Sequence, residues 1–383
     1  MKNFNQKLLS AAVSMFMTAS ICHVATTQAS DIDIYKLPDQ TKMTLFLMFD
    51  TSGSMGVGKG YDSNRDANDA SSLVQDYNIC SWSNNTWTNA NIKSETKTYK
   101  VGARTAKNYT VDYCDVSQTT YNNLNIIYKT RIANECIKTS ATTNTYKCYD
   151  RLSRLKMALA QVLTSSEIDD SVRIGLGQFS TPTKNTSTTT NNYTGRVIYG
   201  HDGRSGRVIY PAVTLNDLNR EALIDEMVKL EAYNSTPSAS AYGESGAYFL
   251  GANTSGLTYS GYSYSQVDSR DGSKGYKAPL TTTEMANTCN GQGIYFLTDG
   301  VANNSNTPST KAIMNKSITL SGTGMSGGAS TAGWTEIGQY SKLLRSGNRN
   351  IKTAVVGFGS SFPNGSTYKY QLKSKHVFIT KTL

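Results

Sequence analysis

The sequence predicts an α/β domain with a mostly parallel sheet flanked by helices. Three observations carry that expectation. Thr44 to Phe49 is almost continuously apolar and does not alternate, which suits a strand covered on both faces. GIYFLTDG at 293–300 repeats the pattern of an apolar run that ends in an aspartate. Strand-like and helix-like segments alternate between and after these two runs.

The first 29 residues read as a secretory signal. Lys2 and Lys7 form a basic start, Leu8 to Ile21 an apolar core, and Thr27-Gln28-Ala29 a small-residue cleavage site. The apolar part is too short and too polar to span a membrane. Cys22 follows Ile21 rather than the small residue of a lipoprotein site. No later stretch has spanning length, so residues 30–383 are expected to be exported, and soluble or held at a surface by a partner.

After the first strand, Asp50 is expected at its C-terminal end, the edge where open α/β sheets bind ligands. Residues 57–149 lose periodicity and are rich in Asn, Thr, Ser and Tyr. They are too long for a plain loop and read as an insertion. A helix is expected at 151–166, with Leu152, Leu155, Ala158, Leu159 and Val162 on one face. A strand follows at 172–179. GRVIY occurs at 195–199 and again at 206–210, with HDGRSG between, and reads as a β-hairpin. A helix at 217–233, capped by Asn216 or Asp217, carries Leu218, Leu223, Met227 and Leu230. A short hinge, Asn234 to Ser238, leads to a helix at about 238–250, with Pro237 at its first helical position. Residues 252–290 form a second polar excursion. The strand at 293–300, a Gly/Ser-rich loop at 321–333, a helix at about 334–346 and a strand at 351–359 complete the pattern.

The chain of 383 residues carries a formal charge of +10, two of which come from Lys2 and Lys7. The basic residues are scattered. The densest region, Lys93 to Lys107, shows no nucleic-acid motif, so a solvated surface is the preferred reading over attraction to acidic cell surfaces. Of the six cysteines, Cys22 leaves with the signal. Cys80, Cys114, Cys136 and Cys148 are expected to form two disulfides, with three connectivities open, and Cys289 stands apart. With three histidines and no close cysteine pair, zinc is not expected. Catalysis is not expected either. His201 and His376 have no motif context, Cys289 lacks the flanks of a nucleophile, and no general base accompanies the aspartates.

The chemistry concentrates at LFLMFDTSGSMG, 45–56. Asp50, Ser52 and Ser54 supply one carboxylate and two hydroxyls at alternate positions. These are hard oxygen donors, so the expected ion is Mg²⁺, with Mn²⁺ or Ca²⁺ as alternatives. Asp299 ends the second apolar run, and in a parallel sheet it meets Asp50 at the same edge. Thr236 lies on a loop before a helix and adds a third hydroxyl. Thr181-Pro182 is a rival Thr-Pro pair, but a Thr/Asn-rich loop rather than a helix follows it, and Thr236 is preferred.

Taken together, D-x-S-G-S (Asp50 to Ser54), T-P (Thr236-Pro237) and L-T-D-G (Leu297 to Gly300) resemble, in order, the metal-ion-dependent adhesion site of a von Willebrand factor A domain. The resemblance covers roughly residues 42–56 and 151–360. It implies a Rossmann-like sheet and a divalent cation held by Ser52, Ser54 and Thr236. Asp50 and Asp299 act largely through water, and an open position takes an acidic group from a partner. The signal, DIDIYKLP, DTSGSMG and the large cysteine-bearing insertion are similar in layout to the N-terminal part of the PilC/PilY family. Its members are tip-associated adhesins and assembly factors of type IV pili. That resemblance implies export through the Sec pathway to the periplasm, outer-membrane surface or pilus tip. The implied partners are minor pilins, or a host receptor or matrix protein. Family members usually continue into a C-terminal β-propeller. This chain stops at Leu383, and YQLKSKHVFITKTL leaves little room for the last strand and helix of an A domain. A truncated or frame-shifted product without the propeller is therefore expected.

Three weaker signals complete the reading. Asp62 to Asn68 resembles the start of an EF-hand loop, but Ala67 and Leu73 stand where Gly and Glu are needed, so a polar loop is preferred. The Tyr-rich segment 259–276 reads equally as a binding surface or a packed excursion. Both excursions are expected to leave the sheet at the metal edge and wall the site.

Overall fold

A computed structural model of the chain describes residues 43–56, 92–123, 136–182, 202–287, 290–298, 304–318 and 333–357. It also describes residues 126, 129 and 133 and short strands at 82–83, 86–87, 188–190, 197–199 and 378–380. Residues 1–42, Cys80, His201, Cys289, Asp299, His376 and residues 62–68 lie outside the described residues.

Six strands build the main sheet: β1 (Met43–Phe49), β2 (Arg173–Phe179), β3 (Gly206–Thr214), β4 (Gly291–Thr298), β5 (Lys352–Gly357) and β6 (Phe378–Thr380). Their order is β3-β2-β1-β4-β5-β6. All neighbouring pairs are parallel except β3, which runs antiparallel to β2 at the edge. The strand order reverses between β1 and β4, and their C-terminal ends therefore open into a crevice.

Helices cover both faces. α1 (Arg151–Thr164) and α2 (Asp217–Val228) lie on one, and α3 (Ser238–Phe249), α4 (Thr307–Ile318) and α5 (Trp334–Arg345) on the other. Successive β1 side chains point to opposite faces. Leu45, Leu47 and Phe49 join Leu155, Leu159, Leu223 and Met227, while Phe46 and Met48 join Tyr242, Phe249, Ile337 and Tyr340. Both faces of β1 are therefore apolar, and the run needs no alternation. Asp150 caps α1 by accepting from Ser153 N at 2.6 Å, and Asn216 caps α2 by accepting from Asn219 N at 2.9 Å.

Several expectations are corrected. The two GRVIY stretches do not pair with each other. Val197–Tyr199 pairs with Thr188–Thr190, and 206–214 joins the main sheet beside β2. Val208 is 1 % exposed, so burial on the sheet outweighs the local turn signal. Helix α2 ends at Val228 rather than at 233, and Leu218 is 61 % exposed, outside the apolar stripe. Pro237 occupies the N-cap of α3 rather than its first helical position. Helix α4 went unread, although Asn306 and Pro308 mark its start and the Asn306 side chain accepts from Ser309 N at 3.1 Å. The C-terminal tail does contribute a sixth strand, β6, paired to β5.

The first insertion is structured. Strands 92–99, 107–116, 146–149 and 137–138 form an antiparallel sheet in that order. Tyr99, Val101, Tyr109, Val111 and Tyr149 are part of the core beneath α1 and α2. Lys107 reaches Asp225 at 2.7 Å and also pairs with Glu221 on α2. Cys136 and Cys148 form a disulfide with Cα atoms 4.4 Å apart, and Cys114 is disulfide-bonded as well.

The junction between insertion and domain predicts a pH dependence. Burial pushes the Asp150 carboxyl up to about 6 from 3.8, and the Asp112 carboxylate adds to the rise against hydrogen bonds from Ser153. The folded state therefore holds this proton more tightly than the unfolded chain. The stability it contributes is present below pH 4 and is lost as pH rises through about 6. The change is on the order of 2–3 kcal/mol. Urea midpoints measured from pH 4 to 7 should fall in the wild type, and that fall should flatten in Asp150→Asn, which retains a capping side chain.

The second excursion does not start from the edge that carries Asp50. It leaves the far end of α3 and returns to the start of β4, at the opposite edge of the sheet from Asp50. Its middle climbs the outer side of β3, where Gln266 N donates to Val208 O at 2.9 Å and Val208 N to Ser265 Oγ at 3.0 Å. That contact covers an edge strand otherwise open to pairing. Tyr262 and Tyr276 are buried, which makes the Tyr-rich segment a packed excursion at those positions.

Candidate metal centre

Asp50 follows β1 directly and is fully buried. Its backbone N continues the ladder to Leu297 O at 2.9 Å, so the β1 and β4 ends stay side by side. Its carboxylate is fixed at both oxygens: Ser52 N donates to Oδ1 at 2.8 Å and the Thr298 hydroxyl to Oδ2 at 2.8 Å. Thr298 is the residue sequence reasoning passed over, although it stands inside the quoted L-T-D-G.

Thr51 turns its hydroxyl inward to Phe179 O at 2.9 Å, tying the loop to the end of β2. Ser52 is 1 % exposed and precedes a short 3₁₀ turn, Gly53–Met55, that contains Ser54. The turn is clamped to the loop that carries Thr236. Gly53 N donates to Asn234 O at 2.8 Å, and Tyr233 N to Thr51 O at 2.9 Å. A Cβ on Gly56 would lie 2.6 Å from Ala232 Cβ, so only glycine permits this approach. Asn234 adopts φ 67°, the left-handed region that asparagine tolerates. Thr236 is 4 % exposed and sits two residues before α3.

The chain beyond β4 returns to the same place. Asn304 Nδ2 donates to Ser235 Oγ at 2.7 Å, and Ala239 N to Ser305 Oγ at 3.1 Å. The loop that carries Asp50 and Ser52 and the loop that carries Thr236 thus lie side by side at the crevice. Asp299, next after β4 in the chain, lies outside the described residues. The rival Thr181 serves elsewhere. Its N–H donates to Asp202 Oδ1 at 3.1 Å, and its hydroxyl accepts from Ser205 at 3.2 Å.

The described donors at this edge are a carboxylate and hydroxyls, a hard-oxygen set that fits Mg²⁺, Mn²⁺ or Ca²⁺. Among the described residues no group of three or more His, Cys, Asp or Glu could hold a metal. Thr298→Val removes one donor to Asp50 and should cost about 1.5–3 kcal/mol in chemical unfolding. No protein-family model matches the chain, and no curated protein matches it.

Proposed function

We propose that this chain is a von Willebrand factor A-like binding module that engages partners through a divalent cation at Asp50, Ser52, Ser54, Thr236 and Asp299. The observation that carries the reading is the buried Asp50 carboxylate, held at both oxygens in the crevice between β1 and β4, with the Thr236 loop clamped against it. The strand order, with one antiparallel edge strand, supports the same reading. Ser52, Ser54 and Thr236 would hold the ion, with Asp50 and Asp299 balancing its charge. A shell of few charges leaves the ion attractive to a partner's carboxylate. The role is binding rather than catalysis.

The wider reading is a tip-associated protein of a type IV pilus, exported by the Sec pathway and acting at the periplasm, outer-membrane surface or pilus tip. No described helix is long and apolar enough to cross a membrane. The partner is a host receptor or matrix protein presenting an acidic residue. The second reading is a structural assembly factor whose module docks to minor pilins. Asp50→Ala in a piliated strain separates the two. An adhesin loses receptor attachment and still assembles pili, whereas an assembly factor loses the pili. Unchanged attachment and unchanged pili would refute both readings.

A further inference from the structure

The edge that carries Asp50 has a basic shoulder. β3 begins opposite the end of β2, with Gly206 paired to Phe179, the residue whose carbonyl accepts from Thr51. Just before Gly206, Asp202 fastens a tight loop. Its Oδ1 accepts from Thr181 N at 3.1 Å and Arg204 N at 3.1 Å, and its Oδ2 from the Ser205 hydroxyl at 2.7 Å. This clasp presents Arg204 on an exposed position.

Three arginines gather on the tip of the second excursion. Arg204 donates to the Tyr259 hydroxyl, and its guanidinium lies 5.1 Å from the centre of that ring. Arg207 donates to Tyr264 O at 3.4 Å, and Arg270 to Ser263 O at 3.2 Å while lying 5.7 Å from the Tyr262 ring. None of the three forms an ion pair among the described residues. The buried Nε atoms of Arg207 and Arg270 have no hydrogen-bond partner. Burial holds the Arg207 guanidinium below its ordinary value, and Glu226 and Asp202 offset this only in part. Two exposed acids lie on the segment: Asp268 accepts from Gln266 at 2.9 Å, and Asp271 lies 3.6 Å from the Lys274 ammonium. Val267, 67 % exposed, adds an apolar contact beside Arg270. The tip cannot swing free, because Gly261 packs so closely on Gly206 that a Cβ has no room there.

We infer that this arginine–tyrosine shoulder is the second half of the partner site and receives a further carboxylate of an acidic polypeptide whose first carboxylate reaches the cation. The inference rests on the reading of the Asp50 edge as a cation site. β1 and β3 lie two strand spacings apart, about 10 Å, and Arg204 stands in the loop just before β3, so the partner must span at least about three extended residues. The partner it fits is therefore a segment with acidic residues a few positions apart. Arginine suits this role because its planar fork binds carboxylates bidentately and stacks on aromatic rings.

The test uses the mature chain and a fluorescein-labelled octaglutamate peptide, with octaglutamine as control. Anisotropy is read in millimolar Mg²⁺ and in chelator. The wild type should bind octaglutamate and not octaglutamine. Arg204→Ala should weaken binding about tenfold, Arg204→Glu should abolish it, and Arg204→Lys should restore only part of it. Thermal unfolding of each variant confirms that the exposed substitution leaves the fold intact. Equal affinity in Arg204→Ala, equal binding of octaglutamine, or no octaglutamate binding by the wild type would each overturn the inference. Binding that depends on Arg204 but ignores chelator and Asp50→Ala would leave the shoulder standing and remove the cation reading instead.

Discussion

Glu244→Ala should destabilise the fold by roughly 4 kcal/mol, lower its Tm by roughly 5 °C and open residues 252–290 to proteolysis. Glu244 lies on α3, is fully buried, and is the point around which the second excursion is organised. Its Oε1 accepts from Gly261 N at 2.9 Å, and its Oε2 from the Tyr276 hydroxyl at 2.8 Å and the Thr254 hydroxyl at 3.1 Å. Burial pushes the carboxyl above its ordinary range, and these donors pull it back. Truncation strands three donors in a space sealed by Tyr248, Tyr262 and Tyr276. Glu244→Gln keeps the shape but turns an amide donor toward a donor, so an intermediate loss is expected. Limited proteolysis with mapped cleavage sites reads the effect directly. Cleavage confined to this excursion supports the account, while uniform resistance in Glu244→Ala contradicts it.

The second large effect belongs to Arg220 on α2. Its guanidinium donates to Leu215 O at 2.5 Å, Leu163 O at 3.1 Å and Ser165 O at 3.1 Å, and to Asp170 at 3.0 Å. One side chain thus satisfies the C-terminal carbonyls of α1 and fixes the turn into β2. Arg220→Met should cost roughly 3–5 kcal/mol in urea unfolding, because it leaves buried carbonyls without donors. Arg220→Lys should recover little, since an ammonium lacks the planar fork that reaches several carbonyls at once. A loss below about 1 kcal/mol in Arg220→Met would show that water replaces the guanidinium.

The parts of the fold legible in the sequence are those in which burial is complete on both faces. Thr44–Phe49 and the run ending at Thr298 announced β1 and β4 because Leu45 to Phe49 and Ile294 to Leu297 present large hydrophobic side chains whichever way they point. α1 was legible because its apolar residues fall on one helical face. The insertion sheet was not. Its strands are built from Thr, Lys, Glu and Tyr, and only alternate positions such as Tyr109 and Val111 reach the core. The repeated GRVIY misled for a related reason. A strand's partner is set by tertiary burial, and Val208 found it beside β2.

Of the candidate site, the sequence showed that Asp50 ends β1 and that Thr236 stands on a loop before a helix. The sequence did not show which groups hold Asp50 in place. Thr298 reaches it from another strand, and the Asn234 carbonyl that anchors Gly53 is a backbone group no motif displays. The placement of the second excursion was misjudged because it precedes β4. A segment before a parallel strand enters at the opposite end from the aspartate that follows it.

Thermal unfolding of residues 30–383 in Mg²⁺, Mn²⁺ or Ca²⁺ against chelator decides whether an ion binds at Asp50. An ion at 100 times its dissociation constant should stabilise the native state by about 2.7 kcal/mol. That shift is expected in the wild type and is lost in Asp50→Ala. Equal unfolding curves with ion and with chelator in the wild type, or the same shift in Asp50→Ala, would contradict it.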